Sequence, residues 1–382
     1  MRICHVGTFW PFGSGHTHYT DNLIRGIRRH DPARHLVAAE LSAAAAETAD
    51  YECVPCFSRS GDYVDDVVRV VVGRGSELVV FQYSDDVFGD DNRFPRLLER
   101  LRQRGIVTVV NSHSIYPERR RTRYRPGRTA AAFDRALAEN VSMFTVHSPR
   151  MRADLLARGI SESQVTVIPH GTKSMPEADR LDCRRQLGIP SDAKVVLFFG
   201  FVWLGKGIEF LIDVFAKVQR RIPEAFLYIG GYTSSKVWSF YMTYLKARLV
   251  GLGVSKRARF WGGYVPEAMV PVIYSAADVV AMPYRQDYSS VSGVVHQTAG
   301  IGKLMLCSRI AKFDEVTDQI DPSLTVDPRD TRGWVDGLVR LLDDPHYGSA
   351  MRAKIRAFGA ATSWDRVGAK HLDLYRSLMT VR

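Results

Sequence analysis

The chain has 382 residues, 46% of them hydrophobic and 24% charged, with a formal net charge of +11. That length exceeds one ordinary hydrophobic core and implies two domains, and the composition excludes the disordered and collagen-like classes. No run approaches the ~20 apolar residues of a membrane span, and the start, Met1-Arg-Ile-Cys-His-Val-Gly-Thr, reads as a buried strand rather than a signal peptide. Five cysteines, an odd number scattered along a large chain, fit a reducing compartment better than a disulfide framework, so a cytoplasmic location is expected.

In chain order, short apolar or β-branched runs at residues 2–6, 35–39, 78–83, 107–111 and 143–147 predict strands. Segments such as 18–30 and 94–104, with apolar residues at helical spacing, predict helices between them. The alternation predicts βαβ units and a parallel sheet covered by helices on both faces. It resumes at residues 195–199, 226–229, 257–261, 279–283, 304–307 and 324–326, predicting a second doubly wound domain. The polar, aperiodic stretch 171–182 marks the boundary, which gives domains of residues 1–175 and 176–360 and a terminal segment 361–382. In that segment Trp364, Val367, His371, Leu374, Tyr375 and Leu378 form one stripe of a helix that starts after Thr362-Ser363, an N-cap sequence. The helix either finishes the second domain or crosses back onto the first.

Gly13-Ser-Gly15-His16 opens the first helix, and with Glu40 at the end of the second strand it has parts of a dinucleotide fingerprint. The glycines come several residues after the strand and the third fingerprint position is His18, so a nicotinamide dehydrogenase is set aside. A phosphate-facing loop and a plain flexible loop both stay open there. Cys53-Val-Pro-Cys56 has redox or metal-ligand spacing but no second ligand pair, which favours an ordinary structural role. Arg119, Arg120, Arg121, Arg123, Arg125 and Arg128, with Tyr124 interleaved, form a basic run. It reads as a solvated loop, or as a contact for an anionic acceptor or an anionic membrane surface touched peripherally from the cytosol. No nucleic-acid module accompanies it, and nucleic acid is not expected. Further on, the strand at 195–199 breaks at Gly200 into a loop that delivers Lys206 to a helix start, and Ser289-Ser-Val-Ser-Gly293 follows another strand. Glycine admits close backbone approach and a helix N-terminus favours anions, so the two features point to a nucleotide-diphosphate site.

Val167-Ile-Pro-His-Gly171, the Gly200 to Gly207 loop, Leu227-Tyr-Ile-Gly-Gly231, Ala277-Asp-Val-Val-Ala-Met-Pro283 and Ser363-Trp364 stand in the order and at the spacing of retaining family-4 glycosyltransferases. The chain resembles that family, densely in its C-terminal half and thinly in its N-terminal half. The resemblance implies a GT-B fold: two Rossmann-like doubly wound domains with a cleft between them, the N-terminal one for the acceptor and the C-terminal one for the nucleotide sugar, with the final helix crossing back. It also implies transfer of a sugar, with retention, from a nucleotide-diphosphate donor (UDP-linked rather than GDP-linked) to a hydroxyl acceptor: a lipid, a polysaccharide or a small natural product. The nucleotide sugar is then a co-substrate and no cofactor is expected. No Asp-x-Asp occurs, so a metal-bridged diphosphate is not expected either.

Carried over residue by residue, Lys206 takes the place of the lysine that contacts the pyrophosphate, where its charge would stabilise the departing nucleoside diphosphate. The arginine common five positions earlier is Phe201 in this chain. The pattern E-G-F-G-x-x-x-x-E-A-x-A-x-G, anchored at Gly302-Lys303, sets Ser289 and Gln297 at its two glutamates and Ser292, Gly293 and Val294 in the turn before a helix. Backbone N–H groups of that turn can face a phosphate. Gln297 keeps an acceptor oxygen for ribose, whereas Ser289 cannot do the work of a carboxylate. His113, in Asn111-Ser-His-Ser114, matches a histidine beside the sugar's reacting carbon and would orient the sugar rather than act as a strong base. Gly13 and Gly15 match the loop against the diphosphate and acceptor. Gly262-Gly-Tyr264-Val265 falls where the family holds the base, with simple packing as the other reading of Tyr264. The replaced arginine and glutamates leave two alternatives: a catalytically silent GT-B protein that binds a nucleotide or partner, and an enzyme of the same architecture with other chemistry, such as a nucleotide-sugar epimerase or hydrolase.

Overall fold

The computed structural model describes residues 1–11, 14–125, 127–231, 237–286 and 288–380. The chain divides into two compact units: Met1–Gly171 with Tyr288–Val291 and Thr362–Arg382, and Thr172–Asp287 with Ser292–Ala361.

The strands up to the end of the first long segment are β1 (Ile3–Gly7), β2 (His35–Glu40), β3 (Ala46–Glu47), β4 (Tyr51–Phe57), β5 (Leu78–Tyr83), β6 (Val107–Ser112), β7 (Ser114–Ile115), β8 (Met143–Val146) and β9 (Val165–Val167). Eight of them form one sheet in the order β3-β4-β2-β1-β5-β6-β8-β9. Every pairing is parallel except β3 with β4. All residues of β1, β2, β5, β6 and β8 are buried, as continuous apolar strands are when helices cover both faces of a sheet. The strand β4 was not expected, because Pro55 interrupts its pattern. It carries both cysteines of the Cys-x-x-Cys spacing, and alternation sends them to different sides: Cys53 joins the cluster around Phe9 and Val37, and Cys56 packs against the one around Phe57 and Val67. Burial pushes the Cys53 thiol up to about 11 and the Cys56 thiol to about 12, the opposite of a reactive pair.

The terminal helix Trp364–Thr380 lies in this first unit, along the helix Gly15–Arg28. Trp364, Val367, His371 and Tyr375 are buried as the stripe requires, joined by Gly368 and Leu372, while Leu374 and Leu378 are only half-buried. Gly26 and Gly368 let the two backbones touch: a Cβ on Gly26 would overlap the Trp364 carbonyl oxygen, and one on Gly368 the Gly26 carbonyl carbon.

The remaining strands are β10 (Lys194–Phe199), β11 (Ala225–Gly230), β12 (Ala258–Phe260), β13 (Val279–Met282), β14 (Ser289–Ser290), β15 (Leu304–Ser308) and β16 (Thr325–Val326). The pair β14 belongs to the first unit, antiparallel to β7 with Ser289 across from Ile115. The other six form the second unit's sheet in the order β12-β11-β10-β13-β15-β16, all parallel. Read as first to sixth, this is the Rossmann order, and it reverses direction between β10 and β13. Asp278 joins those two strands: its carboxylate accepts from the Val195 N–H at 2.7 Å and from the buried Arg184 guanidinium at 2.7 Å. No helix among the described residues is long and apolar enough to cross a membrane.

Candidate functional site

In an open parallel sheet, ligands sit beyond the carboxyl ends of the strands where the order reverses. In the second unit that point is flanked by the loop after β10 and the loop after β13. Gly200 ends β10 at φ 120°, and its N–H donates to Gly230 O at 3.1 Å. The chain then makes a single 3-10 turn, Leu204–Lys206, and Gly207 at φ 63° starts the helix Ile208–Arg221. A Cβ on Gly207 would overlap the Pro283 carbonyl oxygen, so this loop is seated on the residues that follow β13. The Arg285 N–H donates to Gly205 O at 3.0 Å and fastens the same contact.

This packing half-buries Lys206 and sets its Nζ 3.6 Å from the centroid of the Tyr284 ring, a cation–π distance. Burial, with repulsion from Lys312 second, pushes the Lys206 ammonium down to about 7. Burial pushes Lys312 down to about 8, with Glu315 opposing. Two desolvated ammonium groups that repel each other form a pocket of positive potential, which a bound anion would relieve. Phe201, in the arginine position, is 49% exposed. Arg285 does not replace that arginine, because its guanidinium turns toward Glu209 at 3.6 Å and lies over the Phe210 ring.

The helix Gly293–Ile301 begins beside Gly200: the Val294 Cγ2 stands 3.8 Å from where a Cβ on Gly200 would be. Ser292 precedes this helix without a side-chain capping bond, so the helix presents open N–H groups there. One turn on, Gln297 is half-buried and its Oε1 accepts from the Tyr274 phenol at 3.2 Å. Gly200, Lys206, Ser292, Gly293 and Val294 therefore surround one locus, with Gln297 on the same helix. Tyr264 stands apart on the loop after the edge strand β12, 48% exposed, its carbonyl accepting the Trp261 indole N–H. The sequence reading missed Tyr284 and Lys312. Tyr284 immediately follows the Pro283 landmark, which was its one available signal.

In the first unit, histidines converge at the carboxyl ends of neighbouring strands: His113 after β6, His147 after β8 and His170 after β9. His113 Nε2 lies 2.9 Å from Gln82 Oε1 and its Nδ1 lies 3.1 Å from His147 Nε2. His147 Nδ1 in turn meets Ile168 O at 3.1 Å. Tyr19 packs edge-on against His113, His170 and Trp364, and the His16 ring is 4.8 Å from His113. Burial first, then His16, His147, His170 and His371, hold His113 well below the usual histidine range. A neutral His113 oriented from both nitrogens suits a positioning group better than a strong base. Ser289 and Ser290 lie across from Ile115 and Ser114, the residues that directly follow His113, so Ser289 is buried in this unit. Gly15 starts its helix behind Ser14, which caps Thr17 N at 3.1 Å and meets Thr8 Oγ1 at 2.9 Å. Gly13 lies outside the described residues. Among the described residues, no three His, Cys, Asp or Glu side chains are grouped to hold a metal ion.

The basic run is folded rather than loose. Arg121 bridges to Thr129 and the Thr122 N–H donates to Arg128 O. Arg120 pairs with Asp85 and stacks 3.8 Å over Tyr116, and Arg123 pairs with Asp90 at 2.8 Å. Arg119, Arg121 and Arg125 carry no ion pair among the described residues. Beside this loop lies an open cavity of ≈ 470 Å³ with Arg59, Asp85, Asp86, Asp91, Arg93 and Arg123 on its wall.

Residues 193–344, which include the Gly200 to Gly207 loop, β13 and the helix after Ser292, match the family model of Glycosyl transferases group 1. Over that stretch the chain is similar to this glycosyltransferase family. Among similar sequences is the D-inositol 3-phosphate glycosyltransferase of Corynebacterium urealyticum, 30% identical over 257 residues that cover 65% of this chain and 59% of that one. The protein of the same name from Corynebacterium efficiens is 29% identical over the same shares. The matched stretch thus spans about three fifths of these relatives' length. Among solved structures, Anabaena HepE in complex with UDP is similar with TM-score 0.76 and 16% identity, covering 99% of this chain and 100% of that one. Sucrose-phosphate synthase from Thermosynechococcus elongatus is similar with TM-score 0.78 and 19% identity over 100% of both chains. These likenesses carry the fold, which is GT-B, an α/β fold with two Rossmann-like units.

Proposed function

We propose that the protein is a group 1 glycosyltransferase that moves a sugar, with retention, from a UDP-linked donor to a hydroxyl acceptor, without a divalent metal. The observation that carries the reading is Lys206, desolvated at the sheet's reversal point beside Gly200 and the open N-terminus of the helix Gly293–Ile301. A cation, a close backbone and free N–H groups at one locus are what a diphosphate leaving group requires, because each stabilises charge that develops as the nucleotide departs. UDP in the Anabaena HepE structure supports the choice of base. His113 keeps the sugar-orienting role that the resemblance implies, and Gln297 holds the ribose with its amide. The acceptor is a polyol or its phosphate: the relatives are named for D-inositol 3-phosphate, and arginines and carboxylates together line the first unit's cavity. Arg119, Arg121 and Arg125 extend the positive surface toward a charged acceptor or an anionic membrane. The replaced arginine and glutamates, Phe201, Ser289 and Gln297, favour one second reading, a nucleotide-binding protein without turnover.

The test is thermal stability with UDP-, GDP- and ADP-sugars in the presence of chelator. A ligand at about 100 times its Kd raises stability by ~2.7 kcal/mol, so UDP-sugars shift the midpoint and Lys206→Ala removes the shift. Turnover is then assayed with inositol phosphates, free polyols and anionic vesicles as acceptors. No shift with any nucleotide defeats the donor reading. A shift without turnover on any acceptor favours the silent protein.

A further inference from the structure

The second unit contains a buried phenol, Tyr284, which is 0% exposed and whose hydroxyl makes no hydrogen bond of ordinary geometry among the described residues. Phe313 and Phe198 pack against its ring at 5.2 and 6.4 Å and fix its direction. The hydroxyl points to the locus described above, 3.9 Å from where a Cβ on Gly200 would stand. Lys206 Nζ lies over the same ring. Burial, with Cys307 adding to it, pushes the phenol's pKa up, and the Ser292 side chain, close enough to interact weakly with the hydroxyl, opposes the shift; the group is an O–H donor throughout the physiological range.

A buried hydroxyl without an acceptor weakens a fold, and natural structures keep few of them. One that sits beside a desolvated ammonium, a helix N-terminus and a glycine with room for a ligand has a ready explanation: its acceptor arrives with the ligand. An anionic acceptor suits the locus, because burial and mutual repulsion disfavour the charged forms of Lys206 and Lys312 and an anion beside them restores those forms. The chain also lacks one phosphate donor, since Phe201 stands in the arginine position and Arg285 is turned to Glu209.

We propose that Tyr284 binds the donor's diphosphate: its phenol O–H donates to a phosphate oxygen that Lys206 neutralises, and it supplies the contact that Phe201 cannot. The ring positions Lys206, and the hydroxyl reads the anion. This inference rests on the donor reading given above.

Tyr284→Phe separates the two roles, because it keeps the ring under Lys206 and removes only the hydroxyl. The measurements are titration calorimetry with UDP and with uridine, and the thermal midpoint of the free protein. The expected result is a UDP Kd raised about 10-fold, as for the loss of one charge-assisted hydrogen bond. Uridine affinity stays unchanged, and the free protein is as stable as before or more so, since an unsatisfied group has gone. Unchanged UDP affinity in a wild-type-like fold overturns the inference and leaves the donor reading standing. A fall in free-protein stability together with affinity for both ligands assigns Tyr284 a packing role and overturns it as well. Wild-type protein that binds neither UDP nor any nucleotide sugar defeats the donor reading itself, and this inference with it.

Discussion

Lys206 and Lys312 place two ammonium groups in one desolvated corner of the second unit, at about 7 and about 8 against an ordinary 10.5. Their folded-state values are depressed, so the unfolded chain holds more protons between those values and 10.5, and the unit gains stability as pH rises through that window. An anion changes the balance, because a phosphate beside the pair favours the charged forms. At pH 8, UDP binding should therefore draw protons from the buffer onto these lysines. Calorimetry in buffers of different ionisation enthalpy measures the uptake as a slope; a zero slope would mean that the nucleotide binds elsewhere. Of this corner, Gly200 and Lys206 were legible in the sequence because a strand, a glycine and a helix start are local signals. Lys312 and Tyr284 were not, since they reach the locus only through the loops after β15 and β13, which the sheet order brings near β10. The same holds for Gln82 and His147 around His113: each ends a different strand, and only the order β5-β6-β8 makes them adjacent.

Among the elements, the long strands and helices were legible because the apolar runs of β1, β5, β6 and β10 have no other use than a two-sided core. The terminal helix was read from its stripe, while its destination came only from the family resemblance, because a stripe shows that a partner exists without naming it. What names the partner is the pair Gly26 and Gly368, where the helices Gly15–Arg28 and Trp364–Thr380 touch backbone to backbone. Two effects compete at Gly368→Ala. Alanine improves helix propensity by about 1 kcal/mol. Its methyl group meets the Gly26 backbone, which cannot rotate away, and overpacking of that kind costs about 1–3 kcal/mol. With backbone rather than a flexible side chain as the obstacle, the steric effect prevails. Urea denaturation should show a net loss of about 1–2 kcal/mol, with the slope m unchanged. A variant as stable as the parent would show that the helices slide apart freely. The strands β7 and β14, two residues each, lay below what any periodicity can show; they form because Ser289 and Ser290 find the edge beside His113.

At the scale of the whole chain, the two units carry opposite titration chemistry. The first unit buries histidines: burial is the leading cause that lowers His5, His16, His35, His113 and His371, with His35 at about 4 and His371 at about 3. A histidine whose folded pKa is depressed leaves stability intact above the unfolded value of 6.5 and removes it as pH falls toward the folded one. The unfolded chain takes up the proton first in that interval, and each such group costs about 1.4 kcal/mol per pH unit there. His35 and His371 alone therefore act together from pH 6.5 down to about 4. The second unit's lowered lysines are fully protonated in both states well below pH 7, so they add no further acid dependence in this window. The first unit should open before the second as the solution is acidified from pH 6.5 to 4. Hydrogen exchange, corrected for its intrinsic pH dependence, resolves this by peptide: protection should fall first across β1, β2 and the terminal helix, whose His5, His35 and His371 become charged. His371→Gln, which removes the most depressed of the numbered pair while keeping a polar side chain, should shift that loss to lower pH. Simultaneous loss of protection in both units would mean that the chain unfolds as one cooperative body, and that the buried histidines of the first unit set the acid limit of the second as well.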